Sequence, residues 1–285
     1  WSDKVGNWSY FLNANYSYNK NWVSDIGVTD ASGNKGVWTY STSSFRGIPD
    51  FYRTEEGMPV QSYYLTECLG IFQDWDEVYN YTKDGELIQP NAQPGDLKFV
   101  DYNGDGVLDA GDKTMVGDPN PDFILGLNLS FYLYGFDFAM SGYGNFGQQI
   151  FRAYRRYGDS QYNNYTTEIF NYWHGEGTTN KYPRIVPGTN YNYMNNSDLF
   201  VENADFFRIQ TISLGYDFNR LIKNSPFGQL RLYVQAQNPF VITKYKGFDP
   251  EVGSDGGSGR NWAKGLDLGY YPQARAMILG VNLKF

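Results

Sequence analysis

The chain has 285 residues, a formal net charge of −8, one cysteine and one histidine. The acidic balance argues against a nucleic-acid binder, which needs a basic footprint. Cys68 and His174 are too little material for a disulfide framework or a cysteine- or histidine-based metal centre. Residue 1 is Trp and no signal peptide opens the sequence, so it reads as a piece of a longer precursor.

No run of about 20 apolar residues exists, which excludes a helical membrane protein. Strands need no such run. Clear alternation appears over 8–18, 123–134, 136–146, 206–218, 230–238 and 275–285, with a weaker strand over 60–73. In 123–134, Phe123, Leu125, Leu127, Leu129, Phe131 and Leu133 face one way, with Gly126, Asn128 and Ser130 opposite. In 136–146, Phe136, Phe138 and Met140 oppose Asp137, Ser141, Tyr143 and Asn145. The 206–218 stretch alternates cleanly only in its second half, so a bulge is expected near Arg208 to Thr211. In 230–238, Leu230, Leu232 and Val234 oppose Arg231, Gln235 and Gln237. The last strand sets Met277, Leu279, Val281, Leu283 and Phe285 against Gly280, Asn282 and Lys284. Strands of about 9–11 residues, apolar on one face and polar on the other, mark a transmembrane antiparallel β-barrel. The 19% of aromatic residues suits interfacial girdles, or else a glycan-binding surface.

Loop lengths give a topology. Barrels of this kind have short periplasmic turns and long extracellular loops. With the C-terminus in the periplasm, 147–205 and the stretch before Arg275 become extracellular loops. The same parity places 74–121 outside and 19–59 on the periplasmic or lumenal side.

Within 74–121, Asp101, Asn103, Asp105, Asp109 and Asp112 occupy positions 1, 3, 5, 9 and 12 of a calcium-loop spacing. Gly106 stands at position 6 and Val107 offers its carbonyl at position 7. A structural Ca²⁺ is expected there; the plain alternative is a solvated acidic turn. Asp112 stands where a longer Glu usually coordinates, and the flanks look extended, so this is not a paired EF-hand.

Several runs occur in a telling order: Gly95–Asp96–Leu97, the acidic loop, Gly117–Asp118–Pro119–Asn120–Pro121–Asp122–Phe123, Tyr182–Pro183–Arg184, Phe206–Phe207–Arg208–Ile209, Ser213–Leu214–Gly215–Tyr216, Gln237–Asn238–Pro239 and the terminal Phe285. Glu56–Gly57–Met58–Pro59, Ser62–Tyr63–Tyr64 and Gly70–Ile71–Phe72 precede them. With these the sequence resembles the C-terminal barrel portion of SusC-like (RagA-like) TonB-dependent outer-membrane transporters of Bacteroidetes, from about residue 8 to the end.

The resemblance implies an all-β fold in which residues 1–285 form the C-terminal part, roughly a third, of a 22-stranded transmembrane antiparallel barrel. It implies partners supplied by other segments or chains: the remainder of the barrel, an N-terminal plug, a TonB-contacting segment and a SusD-like lipoprotein lid. It implies import of oligosaccharides or peptides across a bacterial outer membrane. Seven or eight strands would leave two unpaired edges and need the rest of the barrel.

Loop aromatics Trp173, Tyr191, Tyr193 and Trp262 are candidate substrate contacts, since aromatic faces suit sugar rings; packing within the loops is the more usual role. Asp137, Tyr143, Asn145, Arg231, Gln235 and Gln237 read as barrel lining. No catalytic constellation is visible, so no enzyme is expected. The competing functions are a passive porin-type channel and a secreted, calcium-stabilised glycan-binding β module. The latter would have to bury the apolar rows between sheets.

Overall fold

The computed structural model describes residues 2–30, 33, 35–38, 51–154, 165–186, 197–252 and 264–285. Seven strands form one antiparallel sheet in sequence order: β1 (Ser2–Val5), β2 (Trp8–Tyr18), β3 (Phe123–Leu133), β4 (Phe136–Phe146), β5 (Phe206–Asp217), β6 (Gln229–Thr243) and β7 (Ala276–Lys284). No helix among the described residues is long and apolar enough to cross a membrane, which says nothing of strands. The sheet is an open, part-barrel wall whose edges are β1 and β7.

Period 2 alternation and register together sort the side chains into two faces. One row holds Asp137, Gly215 and Tyr233, with Arg231 on the same face one alternation along, opposite Asp217; further rows hold Ser213 with Gln235, and Thr211 with Gln237. Leu129, Leu12, Met140, Ile212, Ala236 and Met277 share a row on the opposite face. That face is uncovered by any other described element. Met277 is 81% exposed and Leu279 79%. A soluble sandwich would have hidden this row, so the arrangement disfavours the secreted module.

The expected bulge is present. Between Ile209 and Thr211 the pairing of β5 with β6 shifts register, leaving Gln210 and the Asn238–Pro239 step outside the ladder. Asn238 takes a positive φ of 48°, which lets β6 continue to Thr243, beyond the end expected from alternation. The hairpin between β3 and β4 turns on Tyr134 (φ 48°) and Gly135 (φ 94°). Two left-handed residues match a type I′ turn, whose twist suits the flanking strands.

One expectation is corrected. Tyr18 pairs directly with Phe123, so the whole 19–122 connection leaves and re-enters the wall at one end. The described residues of 19–59 therefore lie at the same end as those of 74–121, 147–205 and 244–275, rather than opposite them. The 60–73 stretch is no wall strand, and this removes one crossing from the parity count. It forms two short strands, Ser62–Thr66 and Cys68–Ile71, within the loops. Ser62, Tyr63, Leu65 and Thr66 are all buried, so both faces of the first are enclosed and its sequence need not alternate.

The three long connections fold into a cap with the main hydrophobic core of the described residues. Phe51, Tyr63, Leu65, Leu97 and Phe99 come from the first connection, Phe151, Leu199 and Phe200 from the second, and Leu266 from the third. A four-stranded sheet runs through it in the order Lys113–Gly117, Ser62–Thr66, Tyr52–Glu55, Gly36–Trp38. Tyr63 is fully enclosed and donates its hydroxyl to the Gly265 carbonyl at 2.8 Å. Gly265 has φ +68°, and a Cβ there would lie 2.0 Å from that hydroxyl. Gly265→Ala is thus expected to destabilise the cap by about 2–4 kcal/mol, from left-handed strain plus overpacking. A lowered cap melting temperature and faster proteolysis of 264–275 in the assembled receptor would check this.

Candidate functional site

The polar face of the wall and the underside of the cap form the candidate site. Near the tight-turn end, Arg231 Nη2 lies 2.5 Å from Asp137 Oδ2 and its Nε donates to Oδ1 at 2.7 Å. They flank Gly215, where a Cβ would collide with both side chains at 2.6 Å, so glycine admits the pair. The Arg231 guanidinium also stacks 4.6 Å from the Tyr233 ring centre. The lining residues expected from alternation therefore share one face, and the structure adds the Asp137–Arg231 pairing.

Where wall meets cap, the side chains are more tightly enclosed. Arg208, on β5, is 2% exposed and donates from Nη2 to Asp249 Oδ1 at 2.5 Å. Its Nε is 3.1 Å from Glu251 Oε2 as an ion pair without hydrogen-bond alignment. Asp249 also accepts from the Glu251 and Gln273 backbone N–H groups, so this arginine fixes the third connection to the wall. Gln148 Nε2 donates to the carbonyls of Ala204 and Pro250, joining the second connection to the third.

Deeper in the cap, Arg152 donates to both Glu168 oxygens, at 2.7 and 3.1 Å, and lies 2.6 Å from Glu202 Oε1. Burial alone would pull the guanidinium pKa down, but the Glu168 hydrogen bonds and the Glu202 charge outweigh it and hold it up. The Tyr245 hydroxyl donates to buried Asp267 at 2.6 Å. Burial, with the Asp267 charge next, pushes the phenol well above its ordinary range. Arg184 pairs with Asp96, which is 1% exposed, and ties the second connection to the first. Nothing in local spacing pairs these residues; each partner comes from a distant segment.

The acidic loop is folded by its own side chains. Asp101 Oδ1 accepts from Gly104 N at 2.8 Å and Oδ2 from Gly106 N at 2.9 Å. Asn103 and Asp105 accept from Asp105 N and Val107 N at 2.9 and 2.8 Å. Asp109 caps the short 3-10 turn Ala110–Asp112, and fully buried Asp112 accepts from Tyr102 N and Asp109 N. Gly104 and Gly106 hold φ of +72° and +89°, which the winding needs. Among the described residues no group of three or more His, Cys, Asp or Glu side chains forms a ready metal cage.

Trp173 sits at the border of the cap core, with its Nε1 3.3 Å from Gln73 Oε1 and its ring against Gly95. Its position is that of a packing residue. Tyr191, Tyr193 and Trp262 lie outside the described residues. His174 turns its Nδ1 to the Tyr172 carbonyl. Burial pushes the Cys68 thiol well up, as expected for an inert cysteine.

No known family model matches the chain. The TonB-dependent receptor SusC of Bacteroides thetaiotaomicron is 32% identical over 202 residues, 70% of this chain and 19% of that protein. The TonB-dependent receptor P39 of Formosa agariphila is 29% identical over 95% of this chain and 28% of its own length. The chain belongs to the SusC-like TonB-dependent receptors. It spans 19% to 28% of the length of these curated relatives. A solved structure described as the RagAB peptide transporter superposes with a TM-score of 0.67 at 19% identity, over 99% of this chain and 28% of that one. The part-barrel fold of this SusC-like chain is thus shared, and the relatives carry receptor and transporter names.

Proposed function

We propose that this chain is a wall-and-cap portion of an outer-membrane TonB-dependent importer, with the cap extracellular and the C-terminus periplasmic. Its cargo is an oligosaccharide or a peptide, delivered with a SusD-like lipoprotein lid. The plug, the remaining strands and the TonB contact belong to other parts of the assembly. The observation carrying this reading is the segregation of the wall, with a bare apolar face, an ion-paired polar face and a folded cap at one end only. The receptor names of the relatives support it. A peptide transporter shares the fold, which makes peptide as good a candidate cargo as glycan.

The test is uptake of labelled oligosaccharides and peptides by cells carrying the receptor, with and without TonB. Uptake that vanishes without TonB supports the importer. Uptake that persists identifies a passive channel.

We also propose that the acidic loop holds a structural Ca²⁺ through Asp101, Asn103, Asp105, Val107 carbonyl, Asp109 and Asp112. The ligand spacing and the glycine-dependent winding support this. The ion would neutralise clustered carboxylates and stiffen the cap. Asp101→Ala and Asp105→Ala are expected to loosen 74–121 and weaken lid docking while the barrel still assembles. Limited proteolysis and co-purification of the lid would read this out, and metal analysis of the purified complex showing no bound cation would sink it.

A further inference from the structure

The cap end of the chain is acidic: residues 19–122 alone carry 18 acidic and 7 basic residues. Three basic side chains stand apart from that pattern. Lys20, Lys244 and Arg275 are exposed and make no ion pair among the described residues. All three sit where the apolar face of the wall ends. Tyr18 is on that face, and Asn19 N still bonds to the Asp122 carbonyl, so alternation brings Lys20 to the same side. Thr243 and Tyr245 turn inward, toward the Asp205 carbonyl and Asp267, which leaves Lys244 facing out beyond Ile242. Arg275 immediately precedes β7, one alternation before outward-facing Met277.

Their heights fit a single membrane level. A line parallel to the bilayer slips by roughly one residue per strand in a wall tilted about 35–45°. The direction of slip is fixed by the register. Trp8, Leu133, Phe136, Tyr216, Leu232 and Val281 form one row; β7 runs on past it to Lys284, yet stops at its cap end opposite Gln237. Counted in ladder steps from that row, with the β6 bulge left out, Lys20 stands twelve away, Lys244 ten and Arg275 six, a descent toward β7 in the direction the tilt requires. Asp205 lies across from Lys244. Its carboxylate is held by Gly147 N and Asn203 Nδ2.

From this we infer that Lys20, Lys244 and Arg275 form a row of contacts for phosphate-bearing lipid headgroups of the leaflet at the cap end. Long basic side chains lie along apolar surface and lift their charge into the headgroup layer. The inference rests on the membrane-wall reading above.

The complete receptor would be placed in nanodiscs of equal parts phosphatidylglycerol and phosphatidylcholine and released for native mass spectrometry. The natural protein is expected to retain phosphatidylglycerol preferentially. The triple variant Lys20→Gln, Lys244→Gln, Arg275→Gln should lose that preference, and the charge-keeping Lys20→Arg, Lys244→Arg variant should keep it. Excess inorganic phosphate should not displace the lipid; displacement would mean a free-anion site and overturn the proposal. So would equal retention of both lipids by the natural protein, or unchanged preference in the triple variant. Failure to enter the nanodisc at all would instead strike the membrane reading itself.

Discussion

Arg152→Met is expected to destabilise the cap by about 3–5 kcal/mol, because it strands Glu202 and Glu168 in an enclosed site without their cation. Arg152 is 1% exposed and Glu202 9%, so water cannot screen the charge left behind. The methionine keeps most of the side-chain volume, which separates loss of charge from loss of packing. A second change, Glu202→Gln, should restore part of the loss, since it removes the deeper uncompensated carboxylate. The check is a double-mutant cycle on cap melting in the assembled receptor. If Arg152→Met alone leaves melting unchanged, the ion-pair cluster does not hold the second connection in place.

Leu129→Arg should impair membrane assembly, whereas Ser130→Arg should be tolerated. Leu129 lies midway along β3 on the apolar face, in one row with Leu12 and Met140. An arginine at the bilayer midplane of a barrel costs about 2–4 kcal/mol. Ser130 is the next residue and points to the polar side with Ala139. Heat-modifiable gel mobility and insertion yield of the full receptor would measure both. Equal tolerance of the two variants would refute the assignment of faces. A reversed order would mean that the wall is inside out.

The wall was legible because lipid on one side and water on the other impose strict alternation. The limits of β2 and β4, the bulge before Thr211 and the common face of Asp137, Arg231, Gln235 and Gln237 all follow from period 2. The cap was not legible by the same means. In 60–73 the Ser62–Thr66 strand is buried on both faces, and a strand enclosed on both sides shows no alternation. Reading that stretch as part of the wall put 19–59 at the wrong end. The cap ion pairs were hidden for a different reason: Arg208 meets Asp249, and Arg184 meets Asp96, across long sequence separations that no local pattern encodes.

By itself the sequence determined the two-phase character of the strands, the order in which they appear and the acidic loop with its calcium-like spacing. Those features are local, set by which solvent each face meets and by turn chemistry within a dozen residues. Only the tertiary structure decided that three long connections share one core at one end, that Trp173 packs into that cap, and that buried Arg208 binds cap to wall. These outcomes depend on contacts between segments far apart in the chain. They are settled only when the sheet register brings Tyr18 beside Phe123 and all the connections out at the same rim.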